Sequence, residues 1–159
     1  FADLQLLRFK VHGFEELPLK QKELVYYLSE AALQGRDILF DQNGKYNLII
    51  RKMLEVVYTD YQGDRSDANF KNFETYLKRV WFSNGIHHHY AADKFVPGFT
   101  PEFFKSALES VDASKLPLME GETLDALCEE VFPVIFDAKV MAKRVNQADG
   151  EDLVLTSAS

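Results

Sequence analysis

The chain has 159 residues, 47% hydrophobic and 27% charged, so it can bury a core and is not a disordered tail. Asp and Glu number 25 against 18 for Lys and Arg, and this net charge of -7 argues against a nucleic-acid partner, because phosphate contacts need clustered positive charge. No apolar run approaches the roughly 18 residues that span a bilayer, which predicts a soluble chain without a membrane partner. An aromatic content of 13% is high for a small domain and points to a partner or ligand surface.

The first third of the chain predicts a strand and a helix. Residues 3–11 alternate in part between apolar and polar side chains, which predicts a short strand ending before Gly13. Pro18 is suited to the first turn of a helix, and Gly35 is suited to its end. Between them, apolar residues recur at helical spacing: Leu24, Leu28, Ala31 and Ala32.

The middle of the chain predicts two further helices and a long loop. Residues 41–44 end in Asn-Gly and predict a turn in which that pair adopts positive φ angles. Single apolar stripes at helical spacing predict helices over residues 46–61 and 70–81, the latter closed by Gly85. Residues 86–99 have no helical period, contain Pro-Gly near their end, and predict a substantial loop.

The last third predicts two capped helices and a second strand. Thr100 and Thr123 are N-cap residues, and each is followed by an apolar helical pattern. Pro133 lies inside the second of these helices and is expected to kink it or stop it. Residues 140–145 predict one more helical turn, and residues 149–159 predict a turn followed by a strand.

Together these elements predict a mainly α fold, a multi-helix bundle with a short strand at each end that has no obvious partner within the chain. Residues 1–159 are predicted to form a single helical segment. The chain begins at Phe1 rather than Met, and it stops directly after an apolar stretch at residues 153–155. Both ends predict that the segment belongs to a longer protein.

Three consecutive histidines at residues 87–89, followed by Tyr90, are the most distinctive chemical feature. In an extended loop the first and third point to one side and the second to the other, so they supply two metal ligands at best. No Asp, Glu or Cys cluster nearby completes a shell. Three interpretations stay open: a metal site, a polar aromatic loop that contacts a ligand, and solvated loop histidines. His12 is the only other histidine, so a His-Glu-x-x-His helix cannot form.

The remaining reactive groups do not form a complete catalytic constellation. Cys128 is the only cysteine, which excludes an internal disulfide and a cysteine-based zinc site. It lies on the apolar face of a predicted helix, so we interpret it as a buried structural thiol rather than a nucleophile. No glycine-rich phosphate loop is present.

Three stretches resemble the dipeptidyl peptidase III family of zinc exopeptidases. Residues 24–32, Leu-Val-Tyr-Tyr-Leu-Ser-Glu-Ala-Ala, look like an early Tyr-x-Leu-Ser-x-Ala-Ala helix of that family. Residues 82–97 run from Phe-Ser-Asn-Gly through the histidines to Lys-Phe-Val-Pro, which is similar to a family block. Residues 143–152, Lys-Arg-Val-Asn-Gln-Ala-Asp-Gly-Glu-Asp, look like the bacterial branch. The resemblance spans nearly all of this chain but only the N-terminal minority of a family member.

The resemblance implies an N-terminal fragment of a two-lobed metallopeptidase that removes dipeptides from the N-termini of short peptides. The family binds its catalytic zinc with a His-Glu-x-x-x-His helix and a later Glu-Glu helix in the other lobe, and neither motif occurs here. This segment would belong to the lower, non-zinc lobe, whose small β-barrel takes strands from distant parts of the chain. The fragment is therefore expected to hold no cofactor, and to be inactive alone, while the parent enzyme holds zinc.

The resemblance also implies a substrate contact in the loop. Alignment backwards from Lys94-Phe95-Val96-Pro97 puts Tyr90 at the aromatic position that lines the pocket for the N-terminal residue of the peptide, with His89 as a second contact. The implied partners are a short peptide and the remaining lobes of the parent chain, with a homodimer through exposed apolar surface as another arrangement. The family implies a cytoplasmic location and leaves an exported or periplasmic one open. The alternative function is a stand-alone helical module that binds peptides or proteins without catalysis.

Overall fold

The computed structural model describes residues 1–2 and 4–143, and this part of the chain is mainly helical, as predicted. Short 3-10 helices occur at Phe14–Glu16 and Ala113–Lys115. The six α-helices are α1 (Leu19–Gln34), α2 (Arg36–Asn43), α3 (Asn47–Asp60), α4 (Ala68–Ser83), α5 (Pro101–Glu109) and α6 (Leu124–Phe136).

The strand predicted over residues 3–11 is wrong for the described residues 4–11, which form no strand. A strand needs a neighbour to accept and donate its backbone hydrogen bonds, and within residues 1–2 and 4–143 the only β pairing is an isolated antiparallel bridge between His87 and Lys94. Of the apolar side chains that suggested the strand, Leu6, Phe9 and Val11 are exposed and Leu4 is half-buried. The second predicted strand, at residues 149–159, lies outside the described residues.

The helix predicted between Pro18 and Gly35 is confirmed as α1, but the turn predicted at residues 41–44 is wrong in its extent. Gly35 has φ -79° and ψ 1°, close to helical values, so the chain continues directly into α2 and stays helical as far as Asn43. Gly44 is extended, with φ 166°, rather than in a positive-φ turn. The buried side chain of Phe40 anchors α2 to the core.

The two central helices pack their predicted apolar stripes into one core. In α3 the buried apolar side chains are Ile50, Met53, Leu54 and Val57. In α4 they are Phe70, Phe73, Tyr76, Leu77 and Val80. The stripes predicted for residues 46–61 and 70–81 are therefore confirmed, because both sets recur every three to four residues and lie on one side of their helices.

Aromatic rings dominate the part of the core next to the 86–99 loop. Phe99, the last residue of that loop, is 3% exposed. Its ring centroid lies 5.6 to 6.3 Å from five other rings, those of Phe73, Tyr76, Phe103, Phe104 and Phe136. All five pairs are edge-to-face, an arrangement that the ring quadrupoles favour. Much of the aromatic content is thus used in packing, and it anchors the end of the loop.

The predicted caps of α5 and α6 are confirmed. The Oγ1 atoms of Thr100 and Thr123 accept hydrogen bonds from Phe103 N at 3.1 Å and Ala126 N at 3.2 Å. Pro133 lies in the last turn of α6, which ends three residues later at Phe136.

The extra helical turn predicted over residues 140–145 is absent from its described part. Residues 138–141 form a turn, and no helix follows as far as Lys143. The remaining two residues of that prediction lie outside the described residues.

A buried arginine joins α2, α3 and α4. The Nη2 atom of Arg51 lies 2.8 Å from Asp37 Oδ1, and its Nε lies 3.1 Å from Glu55 Oε1. Trp81 Nε1 donates a hydrogen bond to the same Glu55 oxygen at 2.8 Å, and the Arg51 guanidinium lies over the ring of Phe40 at 4.7 Å. This network holds the C-terminal end of α4, which leads into the loop of residues 86–99, against α2 and α3.

Among the helices of the described residues, none combines the length and the apolar character that crossing a membrane requires.

Candidate functional site

The loop that carries the histidines is closed at its base by backbone pairing. Phe95 N donates to Ile86 O at 2.9 Å, and His88 N donates to Asp93 O at 2.8 Å, on either side of the His87–Lys94 bridge. Ile86 is buried, so its side chain fixes the base of the loop to the core. We call residues 86–95 the histidine loop. Its base is a pinned hairpin-like turn, which presents the residues at its tip in a defined position.

Lys94 anchors the histidine loop to the end of α6. Its Nζ donates to the backbone oxygens of Asp137 at 2.6 Å and Val140 at 2.7 Å, carbonyls that follow the last helical turn. Burial lowers the pKa of Lys94, and the nearby Asp137 charge opposes that shift. The first residue of the Lys-Phe-Val-Pro block therefore has a structural role of joining two distant segments.

The tip of the loop carries the two residues predicted to contact substrate. Tyr90 is 91% exposed, and its ring centroid lies 4.3 Å from that of His89. His89 in turn lies 4.8 Å from Phe82 at the end of α4 and 4.4 Å from His88. The structure thus brings Tyr90 and His89 together on the surface, next to the rings of Phe82 and His88.

The hydrogen bonds of the histidines define which ring nitrogen carries the proton. His87 Nε2 lies 3.0 Å from Met141 O, and because a carbonyl only accepts, the proton of this ring is on Nε2. His88 Nδ1 accepts from Tyr90 N at 3.2 Å, so neutral His88 carries its proton on Nε2. The two neighbouring rings therefore differ in what they offer a ligand. The Nε2–H donor of His88 has no acceptor among residues 1–2 and 4–143, whereas the Nε2–H of His87 already donates to Met141 O.

The His88 ring is not arranged as a metal ligand in this structure. A ligating nitrogen must offer a lone pair, and at His88 one nitrogen accepts a hydrogen bond while the other carries a proton. Across residues 1–2 and 4–143, no group of three or more His, Cys, Asp or Glu side chains could hold a metal. A zinc site stays a prediction that rests on the family resemblance.

A small polar cleft lies beneath the histidine loop, between the start of α3 and the end of α4. Its volume is about 180 Å³, and we name it the asparagine cleft after the side chains that line it with the loop: Asn43, Asn47, Asn84, Ser83, residues 87–89 and Lys143. Gly85 also lines it, and a Cβ there would collide with Asn47 Nδ2, so this close approach requires glycine.

Asn47 is the central residue of the asparagine cleft. It is 2% exposed, and its Oδ1 accepts a hydrogen bond from Ile86 N at 3.2 Å. No acceptor within residues 1–2 and 4–143 takes a hydrogen bond from its Nδ2. The neighbouring Asn43 donates from Nδ2 to Asn84 O at 3.1 Å, which closes the cleft on one side. Sequence analysis missed this site, although a polar Asn47 in line with the buried Ile50 and Leu54 of α3 was a signal for it.

Cys128 is buried on α6, and the prediction of a buried thiol is confirmed. Burial raises the pKa of this thiol, and the positive charge of Lys105 partly opposes the shift. A raised pKa reduces the thiolate fraction at neutral pH, which is the opposite of what a nucleophile requires.

The environment of His87 predicts a loss of stability in mild acid. Burial lowers its pKa from 6.5, the charges of Lys94 and Lys143 add to the shift, and the hydrogen bond to Met141 opposes it. Below pH 6.5 the unfolded chain protonates this ring while the folded chain resists, so stability falls as the pH falls through that range. We expect the drop in urea midpoint between pH 7.5 and pH 5.5 to be smaller in His87→Gln.

The matched control for that measurement is His12→Gln, because His12 is exposed and lies outside the histidine loop. This variant is expected to show the same drop as the unaltered chain. An equal drop in His87→Gln and His12→Gln would contradict the prediction.

A comparison of the sequence with protein-family models finds no match, and a search of curated proteins also finds none.

Proposed function

We propose that the chain is the N-terminal part of the lower lobe of a zinc dipeptidyl peptidase of the dipeptidyl peptidase III type. In this proposal it contributes structure and one wall of a cleft for short peptides, and it is inactive alone. The catalytic zinc and the groups that activate water would come from the remaining lobe. A cytoplasmic location is part of the proposal and rests on the family resemblance.

The surface of α1 is the observation that carries this proposal. None of its 16 residues is buried, and five consecutive apolar residues, 24–28, are all exposed. Successive residues of a helix point about 100° apart, so these five side chains surround the helix. A helix with large apolar side chains on several faces normally has those faces covered by other parts of a larger structure. This arrangement supports further polypeptide packing around α1.

The histidine loop supports the second half of the proposal. It belongs to the stretch that resembles the family most closely, and it presents Tyr90 and His89 as exposed rings on a pinned base. Exposed rings next to polar donors suit the wall of a peptide pocket, since the ring face contacts a side chain while the donors orient the backbone. The net charge of -7 adds an attractive field for a peptide ammonium group.

The alternative function is a stand-alone helical module that binds a peptide or protein. A module that docks one partner, or a homodimer about a two-fold axis, covers one face of a helix. The exposed apolar side chains of α1 occupy several faces, which favours enclosure by a larger protein.

Fragment complementation tests the proposal. The chain is co-expressed with the zinc-bearing remainder of a bacterial dipeptidyl peptidase III that lacks its own corresponding N-terminal segment. Release of dipeptide from a dipeptidyl-naphthylamide is expected only when both pieces are present, and it is expected to be lost on chelation of zinc.

Two results would count against this proposal. Dipeptide release by the chain alone would contradict its inactivity. Failure of the two pieces to copurify, with the chain remaining folded by circular dichroism, would favour the stand-alone module.

A further inference from the structure

We propose that the asparagine cleft binds a carboxylate group, supplied by a short peptide lying across the histidine loop. The proposal extends the peptide cleft proposed above and depends on it for the identity of the ligand. The carboxylate preference itself rests only on the side chains of the cleft.

The first argument is the set of hydrogen-bond donors that line the cleft. Asn47 is almost fully buried, lines the cleft and has a side-chain Nδ2 without an acceptor among residues 1–2 and 4–143. This side-chain NH₂ is therefore available to donate to an oxygen of a ligand in the cleft. His88 adds an Nε2–H donor that its hydrogen bond with Tyr90 N leaves in place, and Ser83 adds a hydroxyl at the same cleft.

The second argument is charge. No Asp or Glu is among the described residues that line the cleft, although the chain as a whole is acidic. Lys143 lines it, and Lys94 lies close enough to act on His87 through its charge. The local environment is therefore positive while the net charge of the protein is negative, and a site of this kind selects an anion.

The third argument selects a carboxylate over a phosphate. The donors of the cleft are mainly neutral amide, hydroxyl and imidazole groups with one lining lysine, which match a singly charged group with two acceptor oxygens. A phosphate dianion is usually bound by arginines or several cations, and no arginine lines the cleft in the described part of the chain. A volume of about 180 Å³ holds a carboxylate and its first methylene groups.

The fourth argument is continuity with the rings of the histidine loop. His88 and His89 line the cleft, and their rings lead to Tyr90 through centroid distances of 4.4 and 4.3 Å. If a peptide carboxylate lies in the cleft, the next part of the peptide would therefore contact the exposed rings of His89 and Tyr90. The carboxylate can come from the C-terminus of the peptide or from an acidic side chain. The experiment described next separates these two sources.

Nuclear magnetic resonance titration of the ¹⁵N-labelled chain tests the proposal, with the Asn47 side-chain NH₂ signal as the reporter. The probes are acetate, N-acetyl-tetra-alanine with a free C-terminus, its C-terminal amide, the same amide with one alanine replaced by glutamate, and inorganic phosphate. We expect the signal to move with acetate and with both acidic peptides, and the neutral amide to bind at least tenfold more weakly than the free acid. The tighter of the two acidic peptides identifies the source.

Variants distinguish the contribution of the asparagine cleft to binding from that of the exposed ring of Tyr90. His88→Phe and Lys143→Gln are expected to weaken acetate binding at least threefold, whereas Lys139→Gln, an exposed lysine outside the cleft, leaves it unchanged. Tyr90→Ala is expected to weaken the acidic peptides but not acetate, because only a peptide reaches the ring.

Three outcomes would contradict either the carboxylate cleft or the peptide cleft of the proposed function. An unmoved Asn47 signal with acetate and both acidic peptides overturns the carboxylate cleft, as does phosphate binding tenfold tighter than acetate. Acetate binding without tighter peptide binding leaves the carboxylate cleft in place and contradicts the peptide cleft of the proposed function.

Discussion

Replacing Phe99 with alanine is expected to lower the free energy of unfolding by about 3–5 kcal/mol. The ring is buried and contacts five other aromatic rings, and the surrounding helices cannot close the cavity because α4, α5 and α6 each contribute to its wall. Since stabilities of small domains are on the order of 5–15 kcal/mol, this single loss removes a large fraction of the total. Urea denaturation followed by circular dichroism measures it.

Phe82→Ala is the matched control for the Phe99 prediction. Phe82 is 39% exposed at the end of α4, and its ring contacts His89 on the surface. Its removal is expected to lower the free energy of unfolding by less than about 1.5 kcal/mol, because it leaves a solvent-filled depression on the surface rather than an enclosed cavity. A loss below about 1 kcal/mol for Phe99→Ala would show that Phe99 is not an anchor of the core.

Under the proposed function, polar substitutions on α1 are expected to abolish assembly with the zinc-bearing remainder used in the complementation test, while leaving the chain itself folded. We choose two pairs on opposite sides of the helix, Leu24→Gln with Leu28→Gln, and Tyr26→Gln with Leu33→Gln. All four side chains are exposed and glutamine is a good helix former, so each pair is expected to change the unfolding free energy by less than about 1 kcal/mol.

The effect on assembly is expected to be much larger. Fully burying a large apolar side chain contributes about 1.5–3 kcal/mol, so either pair is expected to reduce complementation at least tenfold. The control is Glu23→Gln with Glu30→Gln, which alters the polar strip of α1 and is expected to leave complementation intact. Dipeptide release and copurification measure the effect.

The two α1 pairs also separate enclosure from one-sided docking. If both pairs abolish assembly, the helix is surrounded. If only one pair has an effect and the isolated chain sediments as a dimer that this pair dissociates, a second copy covers α1, and the proposal of an enclosing lobe is wrong.

Helices were the part of the fold that local patterns predicted well. The apolar stripes of α3 and α4 and the threonine caps of α5 and α6 depend on residues within a few positions of one another, and all four were located. The errors fell where the outcome depends on distant residues. The strand over residues 3–11 needs a partner strand that the described residues lack. The helix α2 was missed because Gly35 was interpreted as the end of a helix, whereas it connects α1 directly to α2.

The candidate site was predicted only in its exposed part. Tyr90 and His89 could be named because they are neighbours in a loop that resembles a known block. The asparagine cleft could not, because Asn43, Asn47 and Ser83 come from three helix ends separated by up to 40 positions along the chain. The proton positions on His87 and His88 likewise depend on partners that only the folded loop supplies.

The sequence alone determined the helical character, the acidic charge and the absence of a zinc motif within the chain, because each is a property of composition or of residues close in sequence. Tertiary structure decided which apolar helices are buried and which are bare. Both α1 and α3 contain apolar residues at helical spacing, yet α3 is enclosed by neighbouring helices and α1 is exposed. Whether a helix is buried depends on what packs against it. A local apolar pattern predicts only that some neighbour should cover the helix, and it does not identify that neighbour.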